Sequence, residues 1–547
     1  MGSHNDFKEE TVLADRILIG GNVRTLDAAR PRASALALRG RRVLAVGDDA
    51  SVKLLARPGA AVDGLDGRTV IPGLMDAHIH LEGYARSLVD VDLHEAPSKA
   101  EAVRRVAERA AESEPGAWIV GQGWWQELWE GRAFPTAADL DAATAENPVY
   151  LTAKSGHAAW GNSAALRLAG VTAETPDSKG GQIVRAADGT PTGVLLENAM
   201  DLVYDVIPEP APEQVAAWIE AAQPHLWAAG LTGVHDLDGP RCFAALQTLH
   251  ARGALGVRVV KHIHPLDAFE HARALGLRWG FGDDMLRLGG LKLFADGALG
   301  TRTALMIEPY TGDPDNRGVA VTDKETMYGV VSAASAGGIP SLVHAIGDRA
   351  VREVLDVFER VRGEEAARGV PPEEMRHRIE HVQLIHPDDR PRLGQLGIIA
   401  SMQPIHATSD MEAAELYWGD RVRWAYNWRV QLEGGARLVF GSDAPVEPVR
   451  PLWGVHAAVT RRLPNGRPGP EGWTPEARLT VDEALHAYTT GPAYAAGLED
   501  RLGRLAPGFL ADLVVLEADP YAVEPMQLRE IKVAGTMVDG MWRYRTL

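Results

Sequence analysis

Eight short apolar runs recur along this 547-residue chain, and amphipathic stretches fill most of the intervals between them. The runs are RTVIPGLMDAH (68–78), GLTGVHD (230–236), VRVVKHIH (257–264), LGGLKLFADG (288–297), IPSLVHAIGD (339–348), HRIEHVQ (377–383), GIIASMQP (397–404) and ARLVFGSDAP (436–445). Stretches such as APEQVAAWIEAAQPHLWAAG and GDRAVREVLDVFERVRGE carry the 3.6-residue periodicity of helices with one buried face. Eight strands alternating with helices predict an α/β fold, a (β/α)8 TIM barrel, rather than an open doubly wound sheet. No glycine-rich nucleotide fingerprint follows any run, which counts against a dinucleotide-binding fold.

Both chain ends break this rhythm. Residues 1–67 hold alternating strands and Gly or Asp-Gly turns, as in DRILIGGNVRTL and ASALALRGRRVLAVG, and residues 501–547 have the same character. Neither end is long enough to bury a good core alone, so one composite β-sandwich built from both is expected. The first barrel strand is expected within 68–84 and the rest of the barrel over 216–500. Residues 85–215 are far more than one helix needs, and AWIVGQGWWQELWEG and PVYLTAKSGHAAWGN lie inside them. They predict an inserted α+β subdomain capping the C-terminal mouth of the barrel, where barrel enzymes build their sites.

The bulk numbers exclude several classes. With 56 basic against 74 acidic residues the formal net charge is −18, a poor match to nucleic acid, which wants clustered Lys and Arg. The single cysteine, Cys242, rules out an internal disulfide and a cysteine-rich zinc site, and fits a reducing cytoplasm. No apolar run has the length of a membrane span, and MGSHNDFKEE holds no hydrophobic signal segment. The expected setting is cytoplasmic, with a small-molecule substrate, no nucleic acid, no membrane, and a homodimer as the assembly to test.

The ends of the eight runs are rich in metal-ligand chemistry: His78 and His80, His235, His262 and His264, Lys292, His344, His381 and Asp443. In a barrel such ends converge on one mouth, so residues hundreds of positions apart can share an ion. Imidazole and carboxylate without thiolate suit a catalytic site for zinc, manganese or iron. His-Ile-His occurs twice, at 78–80 and 262–264, and strand spacing turns both rings of each pair the same way. The residues alone leave open which pair is the ligand pair.

In order along the chain, PGLMDAHIH, LKLFADGALGTRTA, HAIGDRA, RIEHVQ, ASMQP and GSDAPV resemble the amidohydrolase superfamily. More narrowly the chain resembles amidohydrolase family 3, the YtcJ-like, N-substituted formamide deformylase-like branch; GQGWWQELW, SGHAAWGNSAAL and the tail LGRLAPGFLADLVVLEADP extend the likeness to nearly the whole chain. The resemblance implies His78 and His80 as the first-strand metal pair, His344 and His381 as further ligands, and Asp443 as the last-strand aspartate that binds metal and moves protons. It implies Lys292 as a carboxylated lysine bridging two ions, since a free ammonium would repel a dication. His235, His262 and His264 match no ligand position, and their role stays open.

The implied activity is metal-dependent hydrolysis of a carbon–nitrogen bond other than a peptide bond, in an amide such as an N-substituted formamide or N-acyl amine. One or two divalent ions, zinc first with manganese or iron as alternatives, would generate hydroxide near neutral pH. Heterocycle deamination or cyclic amide hydrolysis on the same fold is the alternative, and a metal-free, non-catalytic scaffold is a third reading. Trp124, Trp125, His157 and Trp160 in the insertion, and Arg302, are the candidate substrate contacts, because clustered indoles can line an apolar pocket.

Overall fold

A computed structural model describes residues 13–94, 96–154, 158–178 and 181–547. The eight apolar runs form strands β1 (Leu74–Ile79), β2 (Leu231–Asp236), β3 (Arg258–Ile263), β4 (Leu286–Phe294), β5 (Ser341–Ala345), β6 (Arg378–His381), β7 (Ile399–Met402) and β8 (Arg437–Phe440). Each pairs in parallel with its sequence neighbour in one eight-stranded sheet. Every residue of β1, β2, β3, β5, β6 and β7 is buried, as expected for parallel strands covered on both faces. The helix Asp348–Ala367 illustrates the cover: Val351, Val354, Leu355, Phe358 and Val361 form its buried stripe. The chain is therefore a (β/α)8 barrel.

The barrel closes where β8 meets β1. Ile79 and Ala444 form a parallel bridge, His80 N–H donates to the Ala444 carbonyl at 2.9 Å, and Asp443 N–H donates to the His78 carbonyl at 2.7 Å. Just below, Asp76 accepts from Ser442 N–H at 3.0 Å and from Ser442 Oγ at 2.5 Å. Gly441 makes this approach possible, because a Cβ there would sit 2.5 Å from His78 N.

The first apolar run, expected as one barrel strand over 68–84, divides at Gly73. Thr69–Pro72 pairs antiparallel with Leu513–Leu516 and parallel with Asn22–Arg24, outside the barrel. A Cβ on Gly73 would lie 2.2 Å from Thr232 Oγ1 on β2, so the backbone presses against β2 at the point where it changes sheets. Periodicity cannot reveal this break, because both halves are fully buried and neither alternates with exposed positions. The six-stranded sheet containing Thr69–Pro72 draws strands from both chain ends, and a four-stranded sheet is built from residues 14–64 alone. Leu18, Leu36, Val43 and Val70 share a core with Leu505, Leu513, Val515 and Met537.

Contacts divide the chain into two compact units, one comprising residues through Glu82 with Ile219–Leu547, the other Gly83–Trp218. The second unit has its own six-stranded mixed sheet, in the order 181–185, 191–197, 158–161, 149–153, 119–124 and 91–92. Its core packs Trp124, Trp129 and Trp160 against Leu140, Val149 and Leu151. Among the described residues no helix is long and apolar enough to cross a membrane.

Candidate metal centre

The C-terminal ends of β1, β4, β5 and β6 and the loop after β8 bring His78, His80, Lys292, His344, His381 and Asp443 to one cavity of about 360 Å³. Ligand atoms of His78, His381 and Asp443 lie within 4.8 Å of one another. Asp443 Oδ1 stands 3.3 Å from His78 Nε2 and 3.5 Å from His80 Nε2. The His78 and His381 rings are 4.8 Å apart at their centroids, and His381 and His344 are 4.7 Å apart. Two of these residues leave regular strand geometry: His381 has φ +76° and Asp443 φ +59°. Left-handed backbone at a non-glycine residue costs about 1–3 kcal/mol, which the surrounding packing must offset.

Three of the four histidines are oriented by a hydrogen-bonded partner, and the fourth stands beside a carboxylate. Nδ1 of His78 is 2.5 Å from Glu380 Oε2, that of His80 3.0 Å from Asp238 Oδ1, and that of His381 2.8 Å from Gln403 Oε1. Nδ1 of His344 lies 3.1 Å from Asp296 Oδ1, whose carboxylate also accepts the N–H groups of Leu305, Ile346 and Gly347. In His78, His80 and His381 a proton fixed on Nδ1 leaves Nε2 with its lone pair outward, the arrangement typical of metal-ligating histidine. The Nε2 of His78 is buried and has no aligned hydrogen-bond partner among the described residues. An unpaired buried lone pair, amid nitrogen and oxygen donors with no thiolate, fits a divalent ion.

Electrostatics agree with a cation-binding pocket. Burial works against ionised Asp443, but neighbouring His78 and His406 outweigh it and hold its carboxyl well below the usual range. Burial holds His381 far below its ordinary pKa, so its ring is neutral. Lys292 is buried with its ammonium 4.7 Å over the Phe294 ring, and burial pulls its pKa down to about 8. A second group, Asp236, Asp238 and Cys242, is already served by a cation: Lys261 Nζ is 2.8 Å from Asp236 Oδ2 and donates to the Asp238 carbonyl.

The remaining expected residues lie elsewhere. Trp124 and Trp160 are fully buried in the insertion's own core, with each indole N–H donated to a backbone carbonyl, of Leu151 and Thr136 respectively. That corrects their reading as pocket lining: their apolar area serves packing within residues 83–218. Trp125 is 39% exposed, with Lys154 Nζ 4.7 Å over its ring. His157 lies outside the described residues. Arg302 is exposed, pairing with Asp313 at 3.0 Å beside the Tyr417 ring. His235 and His262 are buried inside the barrel and held neutral by burial. His262 Nδ1 accepts from Gly290 N–H at 2.9 Å, so its proton sits on Nε2, and His264 packs 5.6 Å from Phe294.

Several participants carried no sequence signal strong enough to single them out. His406 stands with Nε2 3.3 Å from Asp443 Oδ2 and Nδ1 3.5 Å from Glu447 Oε1. Burial opposes its charge, yet those two carboxylates raise its pKa to about 10. It lies two residues past the quoted ASMQP, on a short helix rather than a strand end, which is why a search of strand ends passes over it.

The amidohydrolase family model matches residues 61–544. The chain is 34% identical to the putative amidohydrolase YtcJ of Bacillus subtilis over 490 residues, covering 88% of this chain and 90% of that one. It is 32% identical to the N-substituted formamide deformylase of Arthrobacter pascens over 549 residues, covering 98% and 99%. Among solved structures, a metal-dependent hydrolase from Pyrococcus furiosus aligns with a TM-score of 0.78 at 31% identity, over 92% of this chain and 99% of that one. A barrel whose mouth gathers five imidazoles, a lysine and Asp443, matched over most of its length by these relatives, belongs to the amidohydrolase family of metal-dependent hydrolases acting on carbon–nitrogen bonds.

Proposed function

We propose that this hydrolase cleaves a small-molecule amide, an N-substituted formamide or N-acyl amine, using zinc held by His78, His80, His344, His381 and Asp443. Lys292, carboxylated, would bridge a second ion. The observation that carries the reading is the convergence of His78, His381 and Asp443 ligand atoms within 4.8 Å, beside a cavity whose other walls include Phe294, Leu299, Ile346 and Val446. The substrate class is supported by the likeness to the Arthrobacter pascens deformylase. The lone cysteine, Cys242, buried and unpaired, supports a reducing, cytoplasmic setting.

The divalent ion would supply a nucleophile from water near neutral pH and polarise the scissile carbonyl. Asp443, ionised and facing the ligand histidines through Oδ1, accepts the proton and returns it to the departing nitrogen. An amine leaves poorly unless protonated, so this second transfer governs release. His406 holds the other carboxylate oxygen and keeps Asp443 turned toward the ligands. The apolar wall accommodates the substituent on nitrogen and limits the water that reaches the reacting atoms.

The test is a screen of N-formyl and N-acyl amines with chelated protein and with Zn²⁺ or Mn²⁺ restored. Turnover is expected only with added metal. Undiminished hydrolysis by thoroughly demetallated protein refutes the mechanism.

A further inference from the structure

Beneath the metal centre the barrel interior holds a sealed ion pair that the mechanism above does not use. Arg378 and Glu380 sit two residues apart on β6, so both point inward, at 1% and 0% side-chain exposure. Arg378 Nε is 2.8 Å from Glu380 Oε1, and Nη2 is 3.1 Å from Oε2. The same Oε2 lies 2.5 Å from His78 Nδ1. Strand alternation would turn the next residue, His381, outward; its φ of +76° brings that ring back to within 4.8 Å of His78.

We propose that Glu380, braced by Arg378, is a positioning residue that locks His78 with its proton on Nδ1 and its Nε2 lone pair toward the metal. The deduction rests on the metal reading of His78 given above. Glu380 cannot turn away, because Arg378 is tied to three other strands. It donates to the Ala77 carbonyl on β1 at 2.7 Å, to Ser401 Oγ on β7 at 2.8 Å, and to His235 Nδ1 on β2 at 3.0 Å. Guanidinium only donates, so His235 must accept through Nδ1 and carry its own proton on Nε2. That makes His235 a neutral buttress and gives this histidine a role other than ligation. The carboxylate and guanidinium cancel in charge, so the pair can be buried while the carboxylate still accepts from His78. Such a partner fixes ring orientation and raises ligand basicity, and its loss typically weakens metal affinity about 10–100-fold.

A purely structural brace would change stability and leave the metal alone, so the two are measured apart. Glu380→Gln strands a buried guanidinium; the double variant Arg378→Met with Glu380→Gln removes both charges and serves as the folded comparison. Zn²⁺ affinity is read by competition with a chromophoric chelator, and folding by the thermal midpoint of the metal-free protein. The expected result is a double variant that still unfolds cooperatively, at a lowered midpoint because the acceptors of Arg378 lose their donor, and that binds Zn²⁺ about 10–100-fold more weakly. A folded double variant with wild-type Zn²⁺ affinity overturns the positioning role while leaving the metal reading intact. Wild-type protein that binds no Zn²⁺, Mn²⁺ or Fe²⁺ overturns the metal reading itself, and this role with it. Should neither variant fold, the wild-type protein decides: the proton in the His78–Glu380 bond is expected as a far-downfield resonance absent from His78→Asn, and its absence from wild type overturns the proposal.

Discussion

Replacing Trp124 with alanine should unfold the insertion rather than reshape a substrate pocket. Trp124 is fully buried, lies 6.1 Å from Trp129 in a stacked arrangement, and meets Trp160 edge-on at 6.2 Å. Its Nε1–H donates to the Leu151 carbonyl at 2.9 Å. Burying roughly 150–250 Å² of aromatic surface at about 25 cal/mol per Å² contributes about 4–6 kcal/mol. Measured Trp→Ala costs run about 3–5 kcal/mol, since surroundings partly relax. A loss of about 4 kcal/mol is comparable with the whole stability of a unit near the lower end of the usual 5–15 kcal/mol range. Trp124→Phe keeps an aromatic ring but loses the indole hydrogen bond to the Leu151 carbonyl, so it should cost about 0.5–1.5 kcal/mol for that bond. Urea denaturation followed by fluorescence, with limited proteolysis mapped to residues 83–218, should rank alanine below phenylalanine below wild type, with metal content unchanged. A Trp124→Ala protein with the wild-type midpoint and an altered substrate preference would refute the core assignment.

Asp443→Asn should lower turnover by about 10²–10⁴ in protein kept metal-saturated, the usual worth of general acid–base catalysis; near-wild-type kcat would assign the proton to another group. Lys292→Ala should lose one metal equivalent by elemental analysis and most activity, and a short carboxylic acid should partly restore both; unmodified Lys292 beside a single fully occupied ion in electron density would reject the bridge. His406 should make stability depend on pH. Its pKa is raised from 6.5 to about 10, so its contribution is complete below about 6.5 and is lost as pH climbs through about 10. In metal-free protein, His406→Phe should flatten the fall in urea midpoint over that window, and curves of equal slope would show that other groups titrate there.

The barrel was legible because its strands are buried on both faces, read as largely apolar runs, and end in residues that apolar burial does not explain, such as His344, His381 and Asp443. Likewise His78 and His80 stand at the end of one such run. What stayed hidden depends on distance in sequence. Nothing in RIEHVQ tells whether Glu380 or His381 faces inward, because the answer turns on a left-handed φ at His381. Asp238, Gln403 and Asp296 read as ordinary loop and strand-end polar residues until the fold sets them beside His80, His381 and His344. The insertion's tryptophans misled for a different reason: composition counts indoles but not their exposure, and the core of the unit Gly83–Trp218 needs large apolar side chains as much as a pocket does.

Because β8 packs directly on β1, the ion-binding cluster can exist only once the chain's distant parts have met. Asp76 and Ser442, which lock that seam, are 366 residues apart in sequence. Contacts of such separation form late, after the entropy of closing the intervening loop has been overcome. During synthesis His78 and His80 emerge early and wait as two imidazoles on an unfinished strand, too few to hold an ion in the family's arrangement. Asp443 arrives with the closing strand, and Gly441 lets that strand seat against His78. An ion that needs both His78 and Asp443 would bind only the closed barrel, and its binding free energy would add to the stability of the seam.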